Sequence, residues 1–430
     1  MTTQPTTDRT TARPTPVKRS NNHLVPRPNE GEWPGLATPP HSLLRARIAE
    51  SLFRRAVDKL PVRVVFPGGE RIGSGDADAP VMRIVRPAAF FHRLGCNSKI
   101  GFGEAYMVGD WTSNRLADLL TPFAARLSTL IPGSLQRIGR RFAEARQPRE
   151  EQNTVEGSAE NIHRHYDLSN DLFSLFLDET MSYSSAWFEA PEEPLADAQG
   201  RKIDGILDMA RVGPGMHVLE IGTGWGGLAI RAAQRGARVT TLTISAEQAT
   251  LAEQRIAEAG VGDRVQVLLR DYREARGSYD AIVSVEMIEA VGDAFWPTFF
   301  AQLDALLKPG GRVGLQAITM PHDRMMAARA DYTWIHKYVF PGGLIPSIEA
   351  IERNLADHTS LRAVERRSLG PDYARTLQHW RETFLERWEA VAGLGFDETF
   401  RRMWEFYLAY CEAGFRVGYL DVQQFSFARR

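Results

Sequence analysis

Residues 218–227 read VLEIGTGWGG, an acidic residue followed by four closely spaced glycines, and no other stretch limits the fold of this chain as much. The apolar run His217–Ile221 before it reads as a buried strand, and residues 228–233 after it read as a helix, so the glycines form a strand-to-helix crossover. Gly222, Gly224 and Gly226 let the backbone bend and approach a ligand where a Cβ would collide, and the helix start presents free N–H groups. A dinucleotide would rest its pyrophosphate there, on the spacing G-x-G-x-x-G. The spacing here is E-x-G-x-G-x-G-G, which favours S-adenosylmethionine, a methyl donor without a pyrophosphate, over a nicotinamide cofactor. A glycine-rich turn in isolation is also what any tight βα connection requires.

The next segments repeat the unit. Residues 239–244 read as a second strand, closed by Ser245-Ala246-Glu247-Gln248 as the capped start of a helix reaching Ala259. A third strand over 265–270 ends in Asp271-Tyr272, a fourth over 279–285 ends in Glu286-Met287-Ile288-Glu289, and a fifth spans 313–318. Alternating strands and helices predict an α/β fold, a Rossmann-like S-adenosylmethionine-dependent methyltransferase domain preceded by a smaller mixed domain. Strand ends of an open parallel sheet converge on one crevice, so the polar residues there are candidates for ligand contact.

Composition frames this core. At 430 residues, 43% hydrophobic and 24% charged, the chain is long enough for two or three domains, and no apolar run reaches transmembrane length. Two cysteines, Cys96 and Cys411, make a disulfide framework or a cysteine-based metal site improbable, and no metal is expected. The net charge of −1 hides an asymmetry: residues 1–150 carry 23 Lys and Arg against 13 Asp and Glu. That excess is either a solvated surface or a face for something anionic such as phospholipid headgroups. Nucleic acid is not expected, since no binding motif accompanies the charge. Residues 1–40 predict a disordered tail, 41–145 a small lipid- or membrane-associated domain, 146–158 a linker and 159–430 the methyltransferase domain. Within the small domain a helix is expected over 43–60, strands over 62–66 and 81–85, and a helix over 116–131. The chain is expected to be cytoplasmic.

Five motifs taken together resemble the cyclopropane-fatty-acyl-phospholipid synthase family: residues 161–173 (NIHRHYDLSNDLF), 181–184 (MSYS), the glycine turn, 338–343 (YVFPGG) and the ending around Tyr410 to Tyr419. They run from about Gly101 to the C-terminus, and the chain is most similar to the actinobacterial branch that makes the methylene precursor of tuberculostearic acid. The resemblance implies transfer of a methyl group to an alkene carbon of an unsaturated, oleoyl-type acyl chain on a phospholipid. A carbocation forms and loses a proton, giving a 10-methylene product or, if the ring closes, a cyclopropane. Such a site must exclude water and surround the cation with aromatic faces, for which the clusters at 334–340 and 404–410 are candidates, although most aromatics in any chain fill the core.

Carried over position by position, the resemblance puts Tyr183 and Ser184 near the methionine part of the cofactor. It puts Glu220 to Gly226 beneath, Thr243 and Gln248 at the ribose, and Asp271 with Tyr272 by the adenine. It implies a bicarbonate ion as base, held by Ser185, Glu289, Gln316, the Ile318 amide and Tyr373. Ser185 stands where Cys is usual, Gln316 where His is usual, and Ala290 replaces a His, which puts the charge balance of that site, and with it the product, in question. Cys411 matches a cysteine once regarded as catalytic, but buried packing suits it better, and His165 reads equally as a ligand or a capping residue. Residues 321–346 are expected to cover an acyl tunnel. The implied partners are a phospholipid bilayer met at its inner face, a second subunit in a homodimer, and a reductase to complete a saturated branch, since no second dinucleotide fingerprint is present. Two rivals are methylation of a small polar metabolite on the same fold and a silent lipid-binding protein.

Overall fold

The computed structural model describes residues 27–126, 169–329 and 331–430. The tail up to residue 26, the linker at 146–158, the end of the 116–131 helix and the 161–168 part of the first motif, with His165, lie outside the described residues.

Four short strands, β1 (Arg63–Val65), β2 (Arg71–Ile72), β3 (Val81–Ile84) and β4 (Trp111–Thr112), form a sheet in the order β2-β1-β3-β4. Helices Leu43–Val57, Pro87–Cys96, Ser98–Met107 and Leu116–Ala125 accompany it. The first ends at Val57, short of the expected residue 60, just ahead of the turn residues that lead into Pro61.

The larger sheet comprises β5 (His217–Ile221), β6 (Arg238–Thr243), β7 (Val265–Leu269), β8 (Tyr279–Val285), β9 (Leu307–Thr319), β10 (Leu361–Ser368) and β11 (Asp421–Arg429). Its order is β10-β11-β9-β8-β5-β6-β7, with β5 to β9 parallel and β11 antiparallel to both of its neighbours. The order reverses at β5, which pairs with β6 on one side and β8 on the other, so the crevice at the carboxyl ends of β5 and β8 is where an α/β sheet takes a ligand. The expected α/β fold is therefore present, with β5 to β8 within one residue of their expected bounds and β9 beginning at Leu307 rather than at 313. β10 and β11 have no counterpart in the sequence reading. Leu361–Ser368 carries three arginines and a glutamate on an edge, and the inner positions of β11 include Gln423 and Gln424, so neither shows a continuous apolar run.

Helix Glu398–Arg416 joins the two regions. It buries Trp404, Phe406, Tyr407 and Leu408, each contributing about 1.5–3 kcal/mol of apolar burial, and packs on helix Gly370–Glu386 as well as on the N-terminal helices. Arg402 donates from Nε to the Tyr106 carbonyl at 2.6 Å and from Nη2 to the Trp111 carbonyl at 3.1 Å. Gly103 makes room for the indole of Trp334, since a Cβ there would lie 2.5 Å from the ring. The small region thus shares one apolar core with the C-terminal helices.

Candidate active site

The glycine turn opens the cleft. Glu220, at the end of β5, is buried, with Oε2 lacking any hydrogen-bond partner, and burial pushes its carboxyl up to about 8 against the Thr241 hydroxyl and Lys202. Gly222 (φ 100°) and Gly224 (φ 51°) hold left-handed backbone, and a Cβ on Gly224 would meet no protein atom within 4 Å. Gly226 (φ 86°) turns the chain into helix Gly227–Gln234 but does not itself line the cleft.

At the end of β6, Thr243 donates to Gln248 Oε1 at 2.9 Å, and the Ser245 hydroxyl caps the helix Ala246–Glu258 through the Gln248 amide. Beyond β7, Asp271 is held by Arg273 in an ion pair of 2.7 Å, and Tyr272 is buried with no partner for its hydroxyl. Tyr183 and Ser184 close the side opposite. Tyr183, Ser184, Glu220, Gly222, Gly224, Thr243, Gln248, Asp271 and Tyr272 therefore line a single cleft.

Lys202 also lines it and was not anticipated. It sits on helix Leu195–Met209, almost fully buried, donating to the Ser184 hydroxyl at 2.6 Å, and burial pulls its ammonium down to about 8. The signal in sequence was polar Gln199 and Lys202 on the helix face shared with Ile203 and Ile206, a face a structural helix would fill with apolar residues.

The second half of the site lies against the first. Glu286, at the end of β8, has a left-handed backbone (φ 48°). Its Oε1 accepts the Ser185 amide at 2.9 Å and the Gln316 side-chain amide at 2.8 Å, and Tyr373 lies close to the same carboxylate. Glu286 lines the cofactor cleft as well, so it belongs to both halves. Gln316 cannot turn freely, because its Oε1 accepts from Gln424 Nε2 at 3.0 Å. Glu289 lies beside it and takes the Ile318 amide on Oε1, while Oε2 is buried without a partner. Burial and the Glu286 charge push the Glu289 carboxyl up to about 8.

Four of the five residues expected around one anion, Ser185, Gln316, Ile318 and Tyr373, therefore meet two carboxylates. The Ser185 hydroxyl points away, donating to the Ala186 carbonyl at 3.0 Å, so Ser185 contributes its backbone amide rather than its side chain. Glu286 is the residue that reading the sequence passed over in favour of Glu289; both follow β8, Glu286 directly and Glu289 in the turn Ile288–Ala290, and only the fold shows which carboxylate the donors reach.

Aromatic rings flank the pair. Tyr183 stacks on Trp380 at 5.1 Å and shares a 2.7 Å hydrogen bond with Tyr407, Tyr373 meets Trp380 edge-on at 6.0 Å and Phe415 at 4.6 Å, and Phe340 packs on Tyr407 at 5.7 Å. The 334–340 and 404–410 clusters divide accordingly. Trp334 and Phe406 pack together at 4.8 Å in the core between regions, whereas Phe340 and Tyr407 reach the site. Cys411 is half-buried, and burial of its thiol pushes it up to about 12, the opposite of an activated nucleophile.

The cleft fits an adenosyl sulfonium: partnerless Glu220 and Tyr272 oxygens, open glycine backbone and a helix N-terminus surround it. Among the described residues no group of side chains suits a metal ion. A family model for mycolic acid cyclopropane synthetase matches residues 153–425. The chain is 52% identical over 407 residues to the tuberculostearic acid methyltransferase UfaA1 of Mycobacterium tuberculosis, covering 92% of this chain and 95% of that protein. It is 36% identical to the cyclopropane-fatty-acyl-phospholipid synthase of Escherichia coli, covering 83% of this chain and 89% of that one. Among solved structures, the cyclopropane synthase MmaA2 of Mycobacterium tuberculosis superposes with a TM-score of 0.59 at 36% identity, over 63% of this chain and 98% of that chain. The synthase CmaA1 complexed with S-adenosylhomocysteine does so with a TM-score of 0.58 at 32% identity, over 65% of this chain and 98% of that chain. With the strand order, the glycine cleft and these matches in agreement, the chain belongs to the mycolic acid cyclopropane synthetase family and is an S-adenosylmethionine-dependent methyltransferase.

Proposed function

We propose that the enzyme methylates the double bond of an oleoyl-type acyl chain on a phospholipid and releases a 10-methylene-stearoyl product. The observation that carries this reading is the junction of the cofactor cleft with a carboxylate pair and an aromatic wall, at Glu286 and Tyr183. An alkene is a weak nucleophile, so the work falls on orientation, exclusion of water and stabilisation of positive charge, which aromatic faces and buried carboxylates supply. The cofactor supplies an electrophilic methyl group, leaving its C–S bonding pair on sulfur. Glu220, Thr243, Gln248 and Tyr272 would hold it, while Trp380, Tyr373 and Tyr407 would face the acyl chain. The name of the 52% identical relative, a tuberculostearic acid methyltransferase, supports the branched product over the ring. A separate reductase would complete a saturated branch.

The same reading has the enzyme lie on the membrane. Helix Leu43–Val57 leaves Leu43, Leu44 and Ile48 exposed at 62%, 72% and 52%, beside exposed Arg45, Arg47 and Arg55. Exposed leucines among arginines suit shallow insertion into an anionic leaflet. No helix among the described residues is long and apolar enough to cross a membrane.

The test is incubation with oleoyl-phosphatidylglycerol vesicles and carbon-13-methyl S-adenosylmethionine, followed by mass spectrometry and carbon-13 NMR of the released acyl chains. Label in an sp2 CH2 establishes the methylene product. Label in a cyclopropane CH2 replaces it with ring closure, and label found only on added soluble acceptors overturns the lipid reading.

A further inference from the structure

We infer that the Glu286 carboxylate is itself the base of this enzyme, filling the place that the family resemblance gives to a bicarbonate ion. The inference rests on the acyl-chain reading above and specifies its proton acceptor.

The donors decide the assignment. An anion-binding pocket is a set of N–H and O–H groups aimed at one point, and here the Ser185 amide and the Gln316 amide are aimed at the Glu286 carboxylate, with Tyr373 close beside it. These are three of the five groups that the resemblance assigns to bicarbonate. The fourth, the Ile318 amide, is taken by Glu289. The fifth, Glu289 itself, has Oε1 committed to that amide. A separate bicarbonate would have to displace Glu286 from its donors and sit as a further anion beside its carboxylate.

The backbone agrees. Glu286 is one of four non-glycine residues with positive φ among the described residues, in a region that glycine enters without strain. That conformation turns the carboxylate from the strand end toward both Ser185 and the cofactor cleft. The two departures from the family pattern fit the same picture. Ser185 offers its amide and needs no thiol, and Gln316, oriented by Gln424, presents a fixed donor that does not titrate.

The alkene π pair forms the new C–C bond as the C–S bond breaks toward sulfur, leaving a cation on the neighbouring carbon; a hydride shift brings that cation to the methyl-bearing carbon. Glu286 removes a proton from the new methyl group, the C–H pair becomes the exocyclic C=C, and the neutral acid gives its proton to water when product leaves. One proton is released per methyl transferred.

Two measurements test this. Turnover on oleoyl vesicles is followed in buffer stripped of carbon dioxide and again with added bicarbonate, for the wild type and Glu286→Gly; carbon-13 bicarbonate is titrated into both proteins and followed by NMR. The wild type is expected to turn over equally with and without bicarbonate and to leave the bicarbonate signal unshifted. Glu286→Gly is expected to lose at least 100-fold in turnover, to regain part of it on adding bicarbonate, and to bind the labelled ion while still binding S-adenosylmethionine by calorimetry. A wild type that loses tenfold or more without bicarbonate, or binds it saturably, overturns the inference; so does a Glu286→Gln enzyme as fast as the wild type. If no condition yields labelled lipid, the acyl-chain reading falls, and the bicarbonate titration still decides whether Glu286 occupies the anion position.

Discussion

The two halves of the site are built by opposite means. The cofactor cleft comes mostly from successive strand ends of one sheet, β5, β6 and β7, and its principal surface is backbone that glycine leaves bare. The reaction half gathers Ser185 from a loop, Glu286 from β8, Gln316 from β9, Tyr373 from helix Gly370–Glu386 and Tyr407 from helix Glu398–Arg416. The first recognises a constant molecule and is local in sequence. The second is assembled from residues distant in sequence, on four different elements and a loop.

That separation can be broken most severely at Glu286. Replacing it with Gln keeps the shape and some hydrogen bonds but removes the base, and turnover should fall about 100- to 10,000-fold, the usual worth of a positioned general base. The Kd for S-adenosylmethionine should stay within about threefold, since Gln keeps the side-chain shape at the edge of the cleft and the main cofactor contacts lie at β5, β6 and β7. Stopped-time lipid labelling and calorimetry give the two numbers. Parallel loss of both would mean that the halves are one unit.

The converse variant is Glu220→Gln. Its carboxyl has a buried oxygen with no protein partner, so cofactor binding should weaken by about 5- to 100-fold, in keeping with about 1–3 kcal/mol for a buried hydrogen-bonding group left without its partner. Saturating cofactor should restore most of the turnover if Glu220 serves binding alone.

A smaller effect is expected one residue further out, at Gln424. It is fully buried, donates to Gln316 Oε1 and to the Lys202 carbonyl, and fixes which face of the Gln316 amide meets Glu286. Gln424→Leu should slow turnover by about 3- to 10-fold, leave cofactor affinity unchanged, and cost about 1–3 kcal/mol of stability through the orphaned Gln316 oxygen. A variant slowed without any change in pH profile would assign Gln424 to packing rather than to positioning.

What could be read in advance divides along the same line. The glycine turn, the βαβ spacing and the polar strand ends are periodic or local signals, so β5 to β9 and nine of the ten expected cofactor residues fall where the cleft is lined. The roles of Glu286 and Glu289 were not legible, because both follow one strand and the distinction is made by Ser185 and Gln316, which lie 101 and 30 residues away. Lys202 was missed for a related reason: a lysine in a helix is normally solvated, and only the sheet packed above it makes this one interior. β11 was missed because its buried glutamines carry polar networks instead of apolar alternation.

The subtlest test concerns the proton on Glu289. Its ordinary value of 4.5 is pushed up to about 8, first by burial and then by Glu286, while the Ile318 amide works the other way. Between those values the folded chain holds a proton that the unfolded chain has released, so this group's stabilising contribution is full below about pH 4.5 and is lost as the pH rises through about 8. Glu220 acts in the same sense. The thermal midpoint of the cofactor-free enzyme should therefore decline from about pH 5 to about pH 8, and Glu289→Gln, which cannot ionise, should make that decline shallower by a few degrees. Glu286 is the competing seat for the proton, because the two carboxylates titrate as a pair. An unchanged slope in Glu289→Gln, with a flattened one in Glu286→Gln, would put the proton on Glu286 and leave Glu289 as the charged member. A flattened slope only in Glu289→Gln keeps Glu286 ionised at neutral pH, the state a base requires.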